Sequence, residues 1–465
     1  MLMTDRMSRL RTVASGIVLL TLTAGSAVAP QSSPPTNSSV VFLNVSVVPM
    51  DAERILENQT VIVRGEKIDL VGPSNTSQVP SGAVVIDGKG KYLLPGLADM
   101  HSHLPEPSDP PEYAQSVLFL YIANGVTTVR SMRGFPNHLE LREKVRRKEL
   151  LGPTLVVAGP GLDGQSVKSP EDAKRQVREQ WAAGYDLVKV LPGLTRAEYD
   201  AIVRTADEVG IRFGGHVPEG VGLLHALEKR QETVEHLDGY TEYLHGEKPV
   251  SPDKIFEVVE RTKAAGIWNV PTMAVMEVDL GLIDRQALIS RSELEYMPRV
   301  LVRKWMKLYG DVIVKNLPPK EETEMIEANR EKLLRALNER GAHILLGTDS
   351  PQLFNVPGFS VFAELEAMAR AGMTPYQVLR SATQNAGAYL HQSVGTVTVG
   401  SRADLILLNA NPLADLNNVK SQAGVMVKGQ WLPKTDLQRE LLDIHAAQNN
   451  FRKADAAPWI AQNVP

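Results

Sequence analysis

Apolar positions along this chain come in two textures. Near the start, "VVFLNVSVV" (40–48), "TVIVRGEKIDLVG" (60–72) and "AVVIDGKGKYLLPG" (83–96) are Val- and Ile-rich runs broken at Gly. Such runs read as strands joined by tight turns. The far end repeats the texture in "GTVTVGSRADLILLN" (395–409) and "GVMVKGQWL" (424–432). "VIVRGEKI" and "VMVKGQWL" even share one hairpin pattern: an apolar strand, a basic residue, Gly, then the return. Two β segments so far apart predict one small β-sandwich built from both ends of the chain.

Between them, short apolar runs alternate with amphipathic helical patterns. The runs are "GLADMH" (96–101), "GVTTVRSM" (125–132), "PTLVVAGPG" (153–161), "YDLVKVL" (185–191), "IRFGGH" (211–216), "ETVEH" (232–236), "IWNVPTMAV" (267–275) and "HILLGTD" (343–349). Helices are expected at "SPEDAKRQVREQWAAG" (169–184), where Ser169 and Asp172 come close to a capping box, and at "TRAEYDAIVRTADEVG" (195–210). Eight alternations predict an α/β fold, a (β/α)8 TIM barrel. One helix cannot fill the gap between the seventh and eighth runs, so 279–310 is expected to form an added helical hairpin at the barrel mouth, either a lid or plain decoration.

The expected organisation is therefore a signal peptide over 1–29, a disordered linker over 30–39 and a first part of the β-sandwich over 40–95. The barrel follows over 96–390 with a helical insertion at 276–320, then the second sandwich part over 391–432 and a C-terminal helix and tail over 433–465. The signal is read from Arg6, Arg9 and Arg11 ahead of the apolar core "VASGIVLLTLTAG" (13–25) and the small residues of "SAVAP" (26–30). Pro30 disfavours cleavage after Ala29, which points to Ala27; an uncleaved anchor is the alternative. The expected location is exported, periplasmic or secreted. "PQSSPPTNSS" (30–39) has the composition of a tether.

Composition narrows the chemistry. With 465 residues, 43% hydrophobic and 22% charged, the chain is ordinary globular protein of more than one domain. A formal net charge of −4 gives no basic face for nucleic acid, and no stretch after the signal is long and apolar enough for a membrane. There is no cysteine, so disulfides, thiolate ligands and a cysteine nucleophile are all excluded. Any metal must rest on His and carboxylate.

Barrel enzymes place their chemistry at the C-terminal ends of the strands. Those ends carry His101 and His103, Lys189, His216, His236 and Asp349. His101 and His103 lie two apart and so face one side of an extended strand. Each residue alone has an ordinary explanation: a satisfied histidine, a snorkelling lysine, an aspartate capping a turn. Their joint occurrence at the ends of strands one, four, five, six and eight does not. His343 enters its strand from the wrong end, and His138, His225, His245, His391 and His445 fall in helices or loops. There is no G-x-S-x-G elbow and no phosphate loop to compete.

On "LLPGLADMHSH", "GVTTVR", "LVKVL", "GHVP", "VEHLDGY", "LLGTDSP", "ATQNAGAYL" and "GTVTVGSRADLILL", the chain resembles the amidohydrolase superfamily over roughly residues 40–432. The resemblance is to its binuclear, carbamylated-lysine type and to the imidazolonepropionase-like group, which includes peptidase-like and ochratoxinase-like members. It implies that His101 and His103 hold a buried metal with Asp349, that His216 and His236 hold an outer one, and that carbamylated Lys189 bridges the two. It implies two divalent ions, with zinc suited to this N/O ligand set, and a metal-bridging hydroxide that attacks a carbonyl. Asp349 is the implied catalytic residue, taking the proton and passing it to the leaving nitrogen. For the substrate, Arg133 is a candidate carboxylate binder, while Arg130 reads as a salt bridge within the barrel. Dipeptidase-like relatives place a tyrosine shortly after the histidine of strand five. Val217-Pro218-Glu219 has none, and Tyr240 is the candidate replacement.

The expected function is metal-dependent cleavage of a C–N amide or peptide bond in a small molecule of dipeptide or N-acyl amino acid type. A cyclic amide or lactone hydrolase on the same scaffold is the alternative, and a non-catalytic exported binding protein the second. A homo-oligomer is left open.

Overall fold

The computed structural model describes residues 39–109 and 111–454. The expected signal peptide, all but the last residue of the expected linker and the end of the tail lie outside the described residues.

The chain enters on β1 (Val40–Val47), antiparallel to β2 (Leu56–Arg64). β2 turns at Gly65, φ 57°, into β3 (Lys67–Pro73). The turn needs a left-handed residue, and glycine adopts one without a Cβ penalty. β4 (Val84–Asp87) and β5 (Tyr92–Pro95) both run parallel to β1, one beside each half of it.

Eight parallel strands follow. β6 (Leu97–Ser102), β7 (Val126–Ser131) and β8 (Thr154–Val157) form one sheet. β9 (Leu187–Val190), β10 (Arg212–Gly215), β11 (Thr233–Glu235), β12 (Trp268–Val270) and β13 (His343–Ile344) form a second. Single parallel bridges link the two on both sides. Ala158 meets Leu187 and Leu162 meets Val190 beyond β8, while Ser102 meets Ser350 beyond β13. Helices fill the crossovers. The helix Pro170–Ala183 is capped by the Ser169 side chain, and Arg196–Val209 opens on a full capping box between Thr195 and Glu198. Both end at a left-handed glycine, Gly184 and Gly210.

Two of the expected strands are cut short. The seventh run stops at Val270: Thr272 takes φ 45° and the chain turns at once into the helix Met273–Asp279. The eighth is paired over two residues only. Beyond it the chain is held by single bonds, such as Met100 N–H to the Leu346 carbonyl at 2.8 Å. The segment expected as a helical hairpin is instead a string of short helices, among them Arg285–Ile289 and Arg299–Leu308.

β14 (Leu405–Leu408), β15 (Gln422–Val427) and β16 (Gln430–Pro433) then return to the first sheet, where β14 pairs with β5. The two ends of the chain thus build one mixed sheet. "LILL" is buried on both faces. Leu405 and Leu407 join Phe42, Val61 and Leu93 in the core of that sheet. Ile406 and Leu408 point the other way, into the main core with Leu118 and Ile122 of the helix Pro111–Ala123. That double burial is why this strand reads as an unbroken apolar run. The helix Lys434–Ala454 closes the described chain. No helix among the described residues is long and apolar enough to cross a membrane.

Candidate active site

The C-terminal ends of the parallel strands surround a cavity of about 580 Å³. Its lining includes His101, His103, Lys189, His216, His236 and Asp349. Sequence separation between them reaches 248 positions, and the fold brings all six to one place. One ligand atom each from His101, His103 and Asp349 lie within 4.8 Å of one another. The Asp349 carboxylate accepts a hydrogen bond from His103 Nε2 at 2.7 Å and stands 3.4 Å from His101 Nε2. The His236 ring lies between the others, its centroid 4.5 Å from that of His101 and 4.8 Å from that of His216.

The backbone holds these groups at some cost. His236, Leu237, Thr272 and Asp349 all sit at positive φ without being glycine. Such residues persist where the surroundings over-determine them. Close packing sets the rest. A Cβ on Gly347 would lie 2.6 Å from His101 Cβ and 2.5 Å from Val270 Cγ1. A Cβ on Gly215, φ 138°, would lie 2.2 Å from the Val190 carbonyl and 3.0 Å from Lys189 Cδ.

Three of the four histidines have a partner for the second nitrogen. His101 Nδ1 meets Glu235 at 2.6 Å, His216 Nδ1 meets Asp238 at 2.5 Å, and His236 Nδ1 meets the Thr272 hydroxyl at 2.7 Å. Partners of this kind orient imidazoles toward a metal. Glu235 is fully buried and also receives Arg130 Nη2 at 2.8 Å. Arg130 in turn donates to the Met100 carbonyl and the Tyr389 hydroxyl. Arg130 is thus the internal ion pair expected of it. Glu235 is not among the expected site residues; its one signal is its place beside His236.

Charge states follow from burial. Burial and the Lys189 ammonium hold His101 well below the usual imidazole range, and burial lowers His236 to about 4. Both rings are neutral at neutral pH and offer a lone pair. Burial alone would raise the Asp349 carboxyl, but His101, His103 and His236 around it reverse that and hold it far below the usual carboxylate range. Burial lowers Lys189, whose Nζ has no hydrogen-bond partner. His103 Nδ1 is a second buried nitrogen without one.

Arg133 also lines the cavity, half-exposed and only loosely paired with Glu106 at 3.7 Å. Tyr240 does not. It is completely buried, and its hydroxyl bonds Thr262 at 2.8 Å and Asn269 at 2.9 Å. Gly239, at φ 77°, turns the chain into the short helix Tyr240–Leu244 and sends that ring into the core. The expected substrate role of Tyr240 is therefore corrected to a packing one. The histidines set aside do have other partners: His343 stacks on Trp268, His225 meets Asp200, and His138 meets the Pro105 carbonyl.

Residues 92–432 match the Amidohydrolase family, and the chain belongs to it. It is accordingly an enzyme, a hydrolase of C–N bonds in a metal-dependent family. The imidazolonepropionase of Fusobacterium nucleatum is 25% identical over 387 residues, covering 78% of this chain and 88% of that protein. Among solved structures, the bottromycin amidohydrolase superposes with a TM-score of 0.71 at 25% identity, covering 89% of this chain and 91% of that one. A putative prolidase from Bifidobacterium longum superposes with a TM-score of 0.67 at 24% identity, covering 89% and 100% respectively.

Proposed function

We propose that this protein is an exported, binuclear metal hydrolase that cleaves the amide bond of a dipeptide or N-acyl amino acid, built on a (β/α)8 barrel with a small β-sandwich. The parallel bridges that join the two parallel sheets on both sides support the barrel. The printed names of the relatives, an amidohydrolase and a prolidase among them, support an amide substrate.

The observation that carries the reading is Lys189. A buried ammonium with no partner, facing a ring of histidines, is costly. Converted to a carbamate it becomes an anion with ligand oxygens. Burial favours the neutral amine, which is the form that takes up carbon dioxide. His101, His103, His216, His236, Asp349 and a carbamylated Lys189 would then hold divalent metal, with zinc suited to these donor atoms. Ions bound there supply Lewis acidity toward water and toward the scissile carbonyl.

The chain's own groups do the rest. Asp349, ionised and fixed by His103, accepts the proton of the attacking water and delivers it to the leaving nitrogen as the C–N bond breaks. Glu235, Asp238 and Thr272 keep the three imidazoles turned inward. Arg133, at the rim, receives a substrate carboxylate.

The test is metal content and hydrolysis by Lys189→Ala, with and without added short carboxylic acids, on dipeptides, N-acyl amino acids, cyclic amides and lactones. The expected outcome is loss of metal and activity, both partly restored by the acids. A variant that keeps its metal and rate defeats the proposal, and turnover confined to cyclic substrates moves it to the ring-opening reading.

A further inference from the structure

Four carboxylates line the cavity: Asp163, Asp238, Asp279 and Asp349. Three are engaged within the protein. Asp163 accepts the Gln165 and Ser166 N–H groups at 2.8 and 2.6 Å. Asp238 meets His216, and Asp349 meets His103. The Asp279 carboxylate has neither a hydrogen bond nor an ion pair among the described residues.

Its position is nonetheless fixed. Asp279 lies three residues after Met276 on the helix Met273–Asp279, so the two share a face. Both line the cavity. The start of that helix is pinned from below. Glu364 accepts the Met273 and Ala274 N–H groups at 2.9 and 2.8 Å, and Arg330 donates to the Pro271 carbonyl at 3.0 Å. Burial and the like charge of Asp349 push Asp279 up to about 6, which Arg330 offsets only in part. A cation bound from the cavity would relieve both. The rim group Arg133 completes the inventory: one unengaged carboxylate and one loosely held guanidinium face the same space.

We propose that Asp279 binds the ammonium group of the substrate, so that this enzyme selects amides with a free α-amine, of the unblocked dipeptide kind, over N-acylated ones. The proposal rests on the amide-hydrolase reading above and narrows it. A charge-assisted hydrogen bond in a partly buried pocket corresponds to about a 10- to 100-fold preference.

Two measurements test it. The first compares kcat/KM of the zinc-loaded enzyme for a dipeptide and for the same dipeptide N-acetylated. The second, independent of turnover, measures calorimetrically the binding of a non-hydrolysable phosphinate dipeptide mimic, with its amine free or acetylated. The native protein is expected to favour the free amine about 10- to 100-fold in both. Asp279→Asn should bring the ratio close to one, and Asp279→Glu should restore part of it. A native protein without preference, or an Asp279→Asn variant weakened equally toward both forms, overturns the assignment. If neither dipeptide is cleaved, the amide-hydrolase reading falls, while an amine preference in phosphinate binding that Asp279→Asn abolishes still supports Asp279 as the ammonium site.

Discussion

Glu235 is the residue through which the site is tied to the interior. It joins His101, at the cavity, to Arg130 and Tyr389 below. Removing its charge leaves Arg130 buried and unpaired, so Glu235→Ala should destabilise the protein by about 3–5 kcal/mol in thermal or denaturant unfolding. Glu235→Gln keeps the shape and loses the carboxylate that orients His101; metal affinity should fall about 10- to 100-fold in a competition titration. Tyr240→Phe makes the opposite case. It leaves Thr262 and Asn269 short of a partner and should cost about 1–3 kcal/mol of stability, with KM unchanged. The metal-type residues were legible because histidine and aspartate at the ends of apolar strands are conspicuous. Glu235 and Tyr240 were not, since what each does is set by partners that only folding supplies: Arg130 lies 105 positions from Glu235.

At the scale of elements, the helix Met273–Asp279 depends on an acid in another helix. Glu364, in Ser360–Arg370, is completely buried and accepts two N–H groups from its first turn. Burial raises this carboxyl from 4.5 to about 8. The folded state therefore holds a proton that the unfolded chain has released, and the stability linked to Glu364 is fully present below pH 4.5 and lost as pH rises through about 8. Glu364→Gln should flatten that part of the stability–pH curve, read as unfolding midpoints from pH 5 to 9. The full capping box at Thr195–Glu198 emerged only in the structure, while the amphipathic helices over 169–184 and 195–210 were legible, with the Ser169 cap. The turn at Thr272 was not. "IWNVPTMAV" is mostly apolar, and period alone does not separate a strand from a buried strand-to-helix turn.

At the scale of the whole molecule, β1–β5 and β14–β16 form one sheet from distant parts of the chain. Strand β14 is hydrogen-bonded to β5 and packs its two faces on two cores. Truncation before Leu405 should expose both, giving a chain that is insoluble or lacks a cooperative unfolding transition by circular dichroism. Export is a proposal at this scale too. Expression of the full chain in a Gram-negative host should yield protein outside the cytoplasm that starts shortly after Ala27 or Ala29, as read by N-terminal mass spectrometry; a full-length cytoplasmic product would defeat it.

Most of the strands and the long amphipathic helices, the β texture common to both ends, and the residue types that stand where strands run out can be read along the chain. Those are properties of local period and composition, and local physics suffices for them. Folding sets which of the polar residues face the same cavity, which lining carboxylates are already satisfied, and which one, Asp279, has no partner among the described residues. Distances and burial depend on the closing of long loops between distant parts of the chain, and no window along the sequence contains them.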